Sequence, residues 1–552
     1  MGFKREYVES ENPRPSKMCR TFPGKERDDK KICKVEEDNP TLEEANEWYK
    51  YMNDLKENGA TEDDACIKQI LNSTKSHEAV ILEHGHTCKL IEDIFKLKKD
   101  AQLTFLKNLF ENNNEEAVTR VFFQKSASYT IERWLKTFAT PIPEGYTEVI
   151  GSFLNYLTSS IQKVLFNPPA SNLLRTILNL IAVTEKLRKE KGKKNKISPE
   201  GKKKYLKLEE SHKKIVDSFL FGEFAFGLKN FSEQSYLLQD TLNSCQYTQY
   251  ETIKKYFNDV WSNNSENAIL TSLKDQSASP VWECIFTLLK DSDVEVVKTF
   301  LTMNAIELSS HSVGNFAIGK FLKSHSNICD DLINTILPNM NLFIKSNYHN
   351  ILDGILERMD KNQNCKDSFI QWFKQNYGKP SKALSYAKFL TDNGKCEGSP
   401  NGEISFDVKC LNPVKTKLMK SLFKIEPKGT SSFFENLSEK CFLDIIENRQ
   451  GTALLETFVQ QFAEGDIGAD WLLGKLGSNL EKLLLGKSSV FVFLALWKTK
   501  LSLEKREELL KIVVNCKKES KVQQRFSRLL NDMDHQLFLE NKKSWTKKYT
   551  PK

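Results

Sequence analysis

One short pattern recurs along this 552-residue chain and limits what it can fold into. A small polar residue is followed by a variable one, two apolar ones, and then Glu, Gln or another polar residue. An apolar pair closes the next helical turn. The instances are CKLIEDIF from Cys88, SYTIERWL from Ser128, SNLLRTIL from Ser171, SYLLQDTL from Ser235, SPVWECIF from Ser279, NFAIGKFL from Asn315, HNILDGIL from His349, TALLETFV from Thr452 and, more loosely, SVFVFLAL from Ser489. Most starts lie roughly 34 to 44 residues apart, the spacing of helical repeat arrays. Length alone would suggest roughly three or four globular domains; the repeat points to one elongated array instead.

The columns of the pattern make physical sense. The fourth position is always apolar (Ile91, Ile131, Leu174, Leu238, Trp282, Ile318, Leu352, Leu455, Val492), and the seventh and eighth are apolar except at Thr241. Positions i, i+3 and i+4 share one face of a helix. Further amphipathic stretches such as 294–302 and 331–343 leave room for two or three helices per unit. A unit that cannot bury its apolar face alone stacks on its neighbours, so the expected fold is an all-α solenoid.

Two gaps are longer. That between Ser171 and Ser235 contains a lysine-rich insertion, 186–207, with 11 Lys or Arg and two acids in 22 residues. That between His349 and Thr452 has room for one unrecognised unit and an insertion near 392–407, where DNGKCEGSPNGE supplies turn residues. We take 1–42 as a polar tail and 43–548 as the array.

Composition narrows the class further. The balance of 81 Lys+Arg against 73 Asp+Glu gives a formal charge of +8, much of it in the lysine-rich segment, which reads as a solvated insertion, a nuclear import signal or a phosphate-binding loop. The longest apolar run, Val490–Trp497, is far short of the roughly 18 to 20 residues of a membrane span. The N-terminus shows no secretory signal, and Glu6 breaks the myristoylation pattern. The 12 cysteines contain no C-x-x-C and read as reduced thiols. Glu83-His84-Gly85-His86-Thr87-Cys88 has no second ligand pair at zinc-site spacing. No P-loop, dinucleotide fingerprint or nucleophile elbow is present, and Asp330-Asp331 reads as surface charge. Neither catalysis, a cofactor nor a metal is expected.

The polar columns carry the functional signal. Two side chains one helical turn apart can meet a base edge, while the one between stacks on its face. A carboxylate such as Glu132 or Glu283 can accept from the N1 and N2 donors of guanine. Gln239 can donate and accept, which suits adenine or uracil. Tyr129, Tyr236 and Phe316 occupy the intermediate position, where stacking is worth about 1–3 kcal/mol per base. Blander readings stand beside these: Ser128, Ser171, Ser235 and Ser279 as helix N-caps, the fifth-position residues as solvated helix formers, and the tyrosines as packing between units.

SYTIE, SYLLQ and SPVWE resemble the second-helix motifs of Pumilio (PUF) repeats, and the series is similar to the nucleolar protein 9 family, a divergent PUF-like group. HSVGNFAIGKFL (311–322) resembles that family's Asn-Phe repeat, and PPASNLLRTIL (168–178) its Ser-x-x-Leu-Arg repeat. WYKYMNDLKEN (48–58) with HEAVILEHGHTCKLIEDIF (77–95) resembles its opening segment and first repeat. GTALLETF (451–458) and the tail through Trp545 resemble its closing repeats. The resemblance implies a C- or U-shaped PUF-like solenoid in the nucleus and nucleolus, without enzymatic activity and monomeric. It would bind precursor ribosomal RNA and regulate small-subunit maturation by shielding a cleavage site, with pre-ribosomal proteins as possible neighbours. Carried over position by position, it implies RNA-facing side chains at Cys88 and Glu92; Ser128, Tyr129 and Glu132; Ser171, Asn172 and Arg175; Ser235, Tyr236 and Gln239; Ser279 and Glu283; Asn315 and Phe316; His349 and Asn350; and Thr452 and Glu456. Arg175, Gly319, Asp353 and Phe493 fit no simple base pairing, which implies shape and phosphate recognition with a few read bases. Two other readings stay open: a cytoplasmic PUF-type messenger-RNA regulator, and a HEAT-like protein-binding scaffold.

Overall fold

In a computed structural model the chain is an α-solenoid. The structure describes residues 40–550 apart from 60–62, 139–141, 191–198, 223–227, 229–230, 232–233, 326, 347, 360, 392–395, 399–401, 463–464, 487 and 520–522. Almost all of the expected N-terminal tail and the centre of the lysine-rich segment therefore lie outside the described residues, as do parts of the second insertion.

The repeated octets form one row of helices, each packed on the next. In order, units one to ten contribute Gly85–Ile94, Lys125–Thr137, Pro168–Glu190, Ser235–Cys245, Ser279–Leu288, Gly314–Ser324, His349–Met359, Pro413–Ile425, Arg449–Phe462 and Val490–Trp497. The other helices of each unit form the outer layer; unit two, for example, adds Lys99–Asn112 and Glu115–Phe123. Several outer helices start at an Asn, Asp or Ser whose side chain takes up a free backbone N–H. Asn114 accepts from Ala117 N at 2.8 Å, and Asn412 from Lys415 N at 2.8 Å on the unit-eight helix.

The core runs continuously between the layers, because positions four, seven and eight of each octet face inward. Trp282 of unit five is fully buried against Phe231, Trp261 and Phe286, with ring centroids 5.6–5.9 Å apart, and its indole N–H donates to Ser272 Oγ at 2.9 Å. Phe286 and Phe321 carry the ring contacts into unit six. Thr241, the polar exception at position seven, is buried because its hydroxyl donates to Leu237 O at 2.8 Å. His212 of the helix Pro199–Phe221 is buried between Ser244 and Gln249. The Ser244 hydroxyl proton is committed to Thr241 O, so Ser244 accepts from His212 Nε2–H and Nδ1 accepts from Gln249. That pattern needs a neutral imidazole, and burial lowers its pKa to about 4.

The structure adds to three readings. The unrecognised unit is TKLMKSLF from Thr416, whose burial follows the same order as the other octets. The final octet starts one residue later, at Val490. Val492 and Phe493 are both buried, Phe491 is exposed, and Ser489 sits outside the helix donating to Leu483 O at 2.6 Å. Phe493 thus occupies the core column, not the fifth position. The described ends of the lysine-rich segment are helical: Lys186–Glu190 extends the unit-three helix, and residues 199–207 open the helix Pro199–Phe221. The second insertion contains two short antiparallel strands, Cys396–Gly398 and Ile404–Phe406, pinned by Ile404 N to Asn436 O at 2.7 Å. Among the described residues no helix is long and apolar enough to cross a membrane.

Candidate nucleic-acid interface

Helical geometry sorts each octet into the same exposure pattern. Position one lies against the neighbouring helices, position two faces solvent in seven of the ten units, and position five is half-buried in most. At position one, Cys88, Ser128, Ser235, Ser279, Asn315, Thr416 and Thr452 are buried, whereas Ser171 and His349 are half-buried. None of the four serines caps its helix. Ser128 lies inside a helix capped by Gln124, Ser171 lies in one where Asn167 accepts from Ala170 N, and Ser235 and Ser279 follow Gln234 and Ala278.

Position two is where large side chains reach water. Tyr129 is 57% exposed, Tyr236 71%, Phe316 46% and Phe491 54%. Rings this open contribute little to the core. Asn172 and Lys417 are exposed at the same position and Asn350 is half-buried. Sequence reasoning missed Phe491 and Lys417. Phe491 sits in an octet too uniformly apolar to show its phase. Lys417 sits in a unit without Glu or Gln at position five.

Position five bonds mostly across or within the row. Glu92 accepts from Thr130 Oγ1 at 2.7 Å and from Arg133 of unit two. Cys88 also meets Thr130, at 3.2 Å, and burial pushes its thiol up to about 11. Glu132 takes Lys136 of its own helix and, at 3.2 Å, Thr176 Oγ1 of unit three. Arg175 Nε donates to Asp240 at 2.7 Å. Gln239 donates to Ser235 Oγ at 3.0 Å, and Ser279 lies 3.5 Å from Glu283, whose carboxyl is raised by burial. Glu456 accepts from Gln460 at 3.2 Å, and Asp353 pairs with Lys417 of unit eight.

Gly319 has a different reason for its place. A Cβ there would lie 2.6 Å from the Asn350 carbonyl carbon, and one on Gly354 would lie 2.5 Å from Leu322 Cβ. The helices of units six and seven meet backbone to backbone, which only glycine permits.

One groove gathers the expected residues of two adjacent units. A cavity of about 850 Å³ is lined by Ser128, Tyr129 and Glu132 on one side and by Pro168, Pro169 and Asn172 on the other, with Gln124, Lys125 and Ser126 at its rim. That volume is in the range of small-ligand sites, and an exposed ring beside a carboxylate offers both a stacking face and acceptors. Among the described residues no group of three His, Cys, Asp or Glu is placed to hold a metal ion. Asp330 is engaged by Arg358 and Asn362.

The row of inner helices and the outer layer define an α-solenoid of PUF-like repeats. The chain is similar in fold to the solved structure of APUM23-GGAAUUGACGG, with a TM-score of 0.65 and 16% identity over 92% of this chain and 99% of that one. It is equally similar to the same protein with its insert region deleted (0.65, 15%, covering 92% and 98%), and nearly so to APUM23-GGAUUUGACGG (0.64, 15%, covering 93% and 99%). No protein-family model matches the sequence, and no curated protein matches it significantly.

Proposed function

We propose that this chain is a non-catalytic RNA-binding protein that holds single-stranded RNA along its row of inner helices. The observation that carries this reading is the column of solvent-facing position-two side chains, with Tyr129 and Tyr236 open to stacking and polar position-five groups one turn away. The solved structures similar in fold pair APUM23 with GGAAUUGACGG and GGAUUUGACGG, sequences written in the RNA alphabet. The resemblance to the nucleolar protein 9 family narrows the proposal to precursor ribosomal RNA in the nucleolus. There the bound protein would shield a cleavage site and so regulate small-subunit processing.

The test is retention of total cellular RNA on the purified chain, followed by sequencing. Ribosomal precursor fragments support the full proposal. Messenger fragments favour a messenger-RNA regulator, and no retained RNA leaves a protein-binding scaffold. Replacing Tyr129, Glu132, Tyr236 and Gln239 together by Ala should weaken binding to the retained segment at least about thirtyfold, since two stacked bases are lost. Affinity equal to that of the unaltered chain would sink this assignment of the interface.

A further inference from the structure

Two of the four exposed position-two rings carry a guanidinium, and each guanidinium is anchored by a carboxylate across the boundary between units. Arg133 lies over the Tyr129 ring at 5.4 Å from its centroid, and Glu92 of unit one holds it. Arg175 lies over the Tyr236 ring at 5.2 Å, and Asp240 of unit four holds it at 2.7 Å. The two arrangements are charge-inverted. In the first the acid is at position five and the arginine at position six of the next unit; in the second the arginine is at position five and the acid at position six. Both deliver the same product, an arginine on a tyrosine. Among the described residues no cation lies over Phe316 or Phe491.

These pairs are half-exposed, with Arg133 58% and Arg175 33% open, and such ion pairs contribute little to folding. What the carboxylates fix is geometry. They are themselves largely covered, Glu92 at 17% and Asp240 at 15%, so they hold the guanidinium plane in place rather than meeting a ligand. One face of each tyrosine is taken by the arginine, and Tyr129 and Tyr236 remain 57% and 71% exposed. A planar guanidinium so held keeps N–H donors free for an anionic oxygen beside the ring.

Resting on the RNA-binding reading above, we infer that units two and four carry two-point nucleotide clamps: the tyrosine stacks the base, and the anchored arginine takes the phosphate of the same or the adjoining nucleotide. Glu92 and Asp240 are positioning residues. Units six and ten stack a base without a phosphate contact.

The test uses the full chain and a labelled pool of random single-stranded RNA, with affinity measured across a salt series. If the unaltered chain does not bind the pool, the RNA-binding reading itself fails, and the clamp with it. Given binding, Arg133→Ala and Arg175→Ala should each weaken affinity about tenfold and lower the salt slope by about one. Arg133→Lys should keep the slope and lose affinity several-fold, because the charge stays and the plane goes. Glu92→Gln should weaken binding several-fold, and its effect should vanish in the Arg133→Ala background. Phe316→Ala should weaken binding with an unchanged slope. Arginine variants that bind with the unaltered affinity and slope would overturn the clamp, as would a Glu92→Gln effect that adds in full to Arg133→Ala.

Discussion

Units one to four and units six to ten bury the same columns and expose the same column, yet their position-five chemistry differs. In the first group Glu92, Glu132 and Arg175 each reach the following unit, so neighbouring helices are tied through polar side chains. In the second group Gly319 offers no side chain, Leu494 is apolar, and Glu456 bonds within its own helix. Asp353 reaches forward, to Lys417. Positions three, four, seven and eight pack the row in every unit, position five joins them where Gly319 lets two helices meet, and position two is left to the surface.

Three measurements put this contrast to the test. A large effect is expected in the second group. Gly319→Ala places a Cβ against the Asn350 backbone and should cost about 3 kcal/mol, visible as a lowered urea midpoint. An unaltered midpoint would show that these helices part freely. The next is specific to the first group. The unfolded His212 takes up a proton below pH ~6.5, whereas the folded one resists it to about pH 4. Its contribution is therefore fully present above pH ~6.5, declines as the pH falls, and levels off near 4, a total of about 3 kcal/mol. His212→Gln should flatten the stability profile across that window, and a profile as steep as the unaltered chain's would assign the acid sensitivity elsewhere. The smallest is Glu92→Gln, which should change stability by less than about 1 kcal/mol in thermal unfolding. A larger loss would make the cross-unit ties part of the scaffold after all.

Most of the fold was legible because period-3.6 burial writes itself into the octets. Where two columns changed chemistry together, it was not. Thr416 begins a unit with Lys417 and Lys420 at positions two and five, and its distance from His349 is stretched by the strand pair. Val490–Trp497 is so apolar that any phase fits, and the start at Ser489 was one residue early. At the candidate site the exposed rings of Tyr129, Tyr236 and Phe316 were legible as a column. The ties Glu92–Arg133 and Arg175–Asp240 were not, because which residues of adjacent helices meet depends on the inter-unit packing and not on spacing within one octet. The serines gave the opposite lesson: their helix-opening look suggested caps, but the helices begin earlier or are capped by the preceding residue.

The glycine contact between units six and seven also limits how this surface can be rewritten. At other units a change at position five replaces a side chain that already stands there. At Gly319 any replacement must first push a neighbouring helix aside. Natural variation and engineering are thereby steered toward the other units, and unit six is held as a fixed spacer in an otherwise editable row.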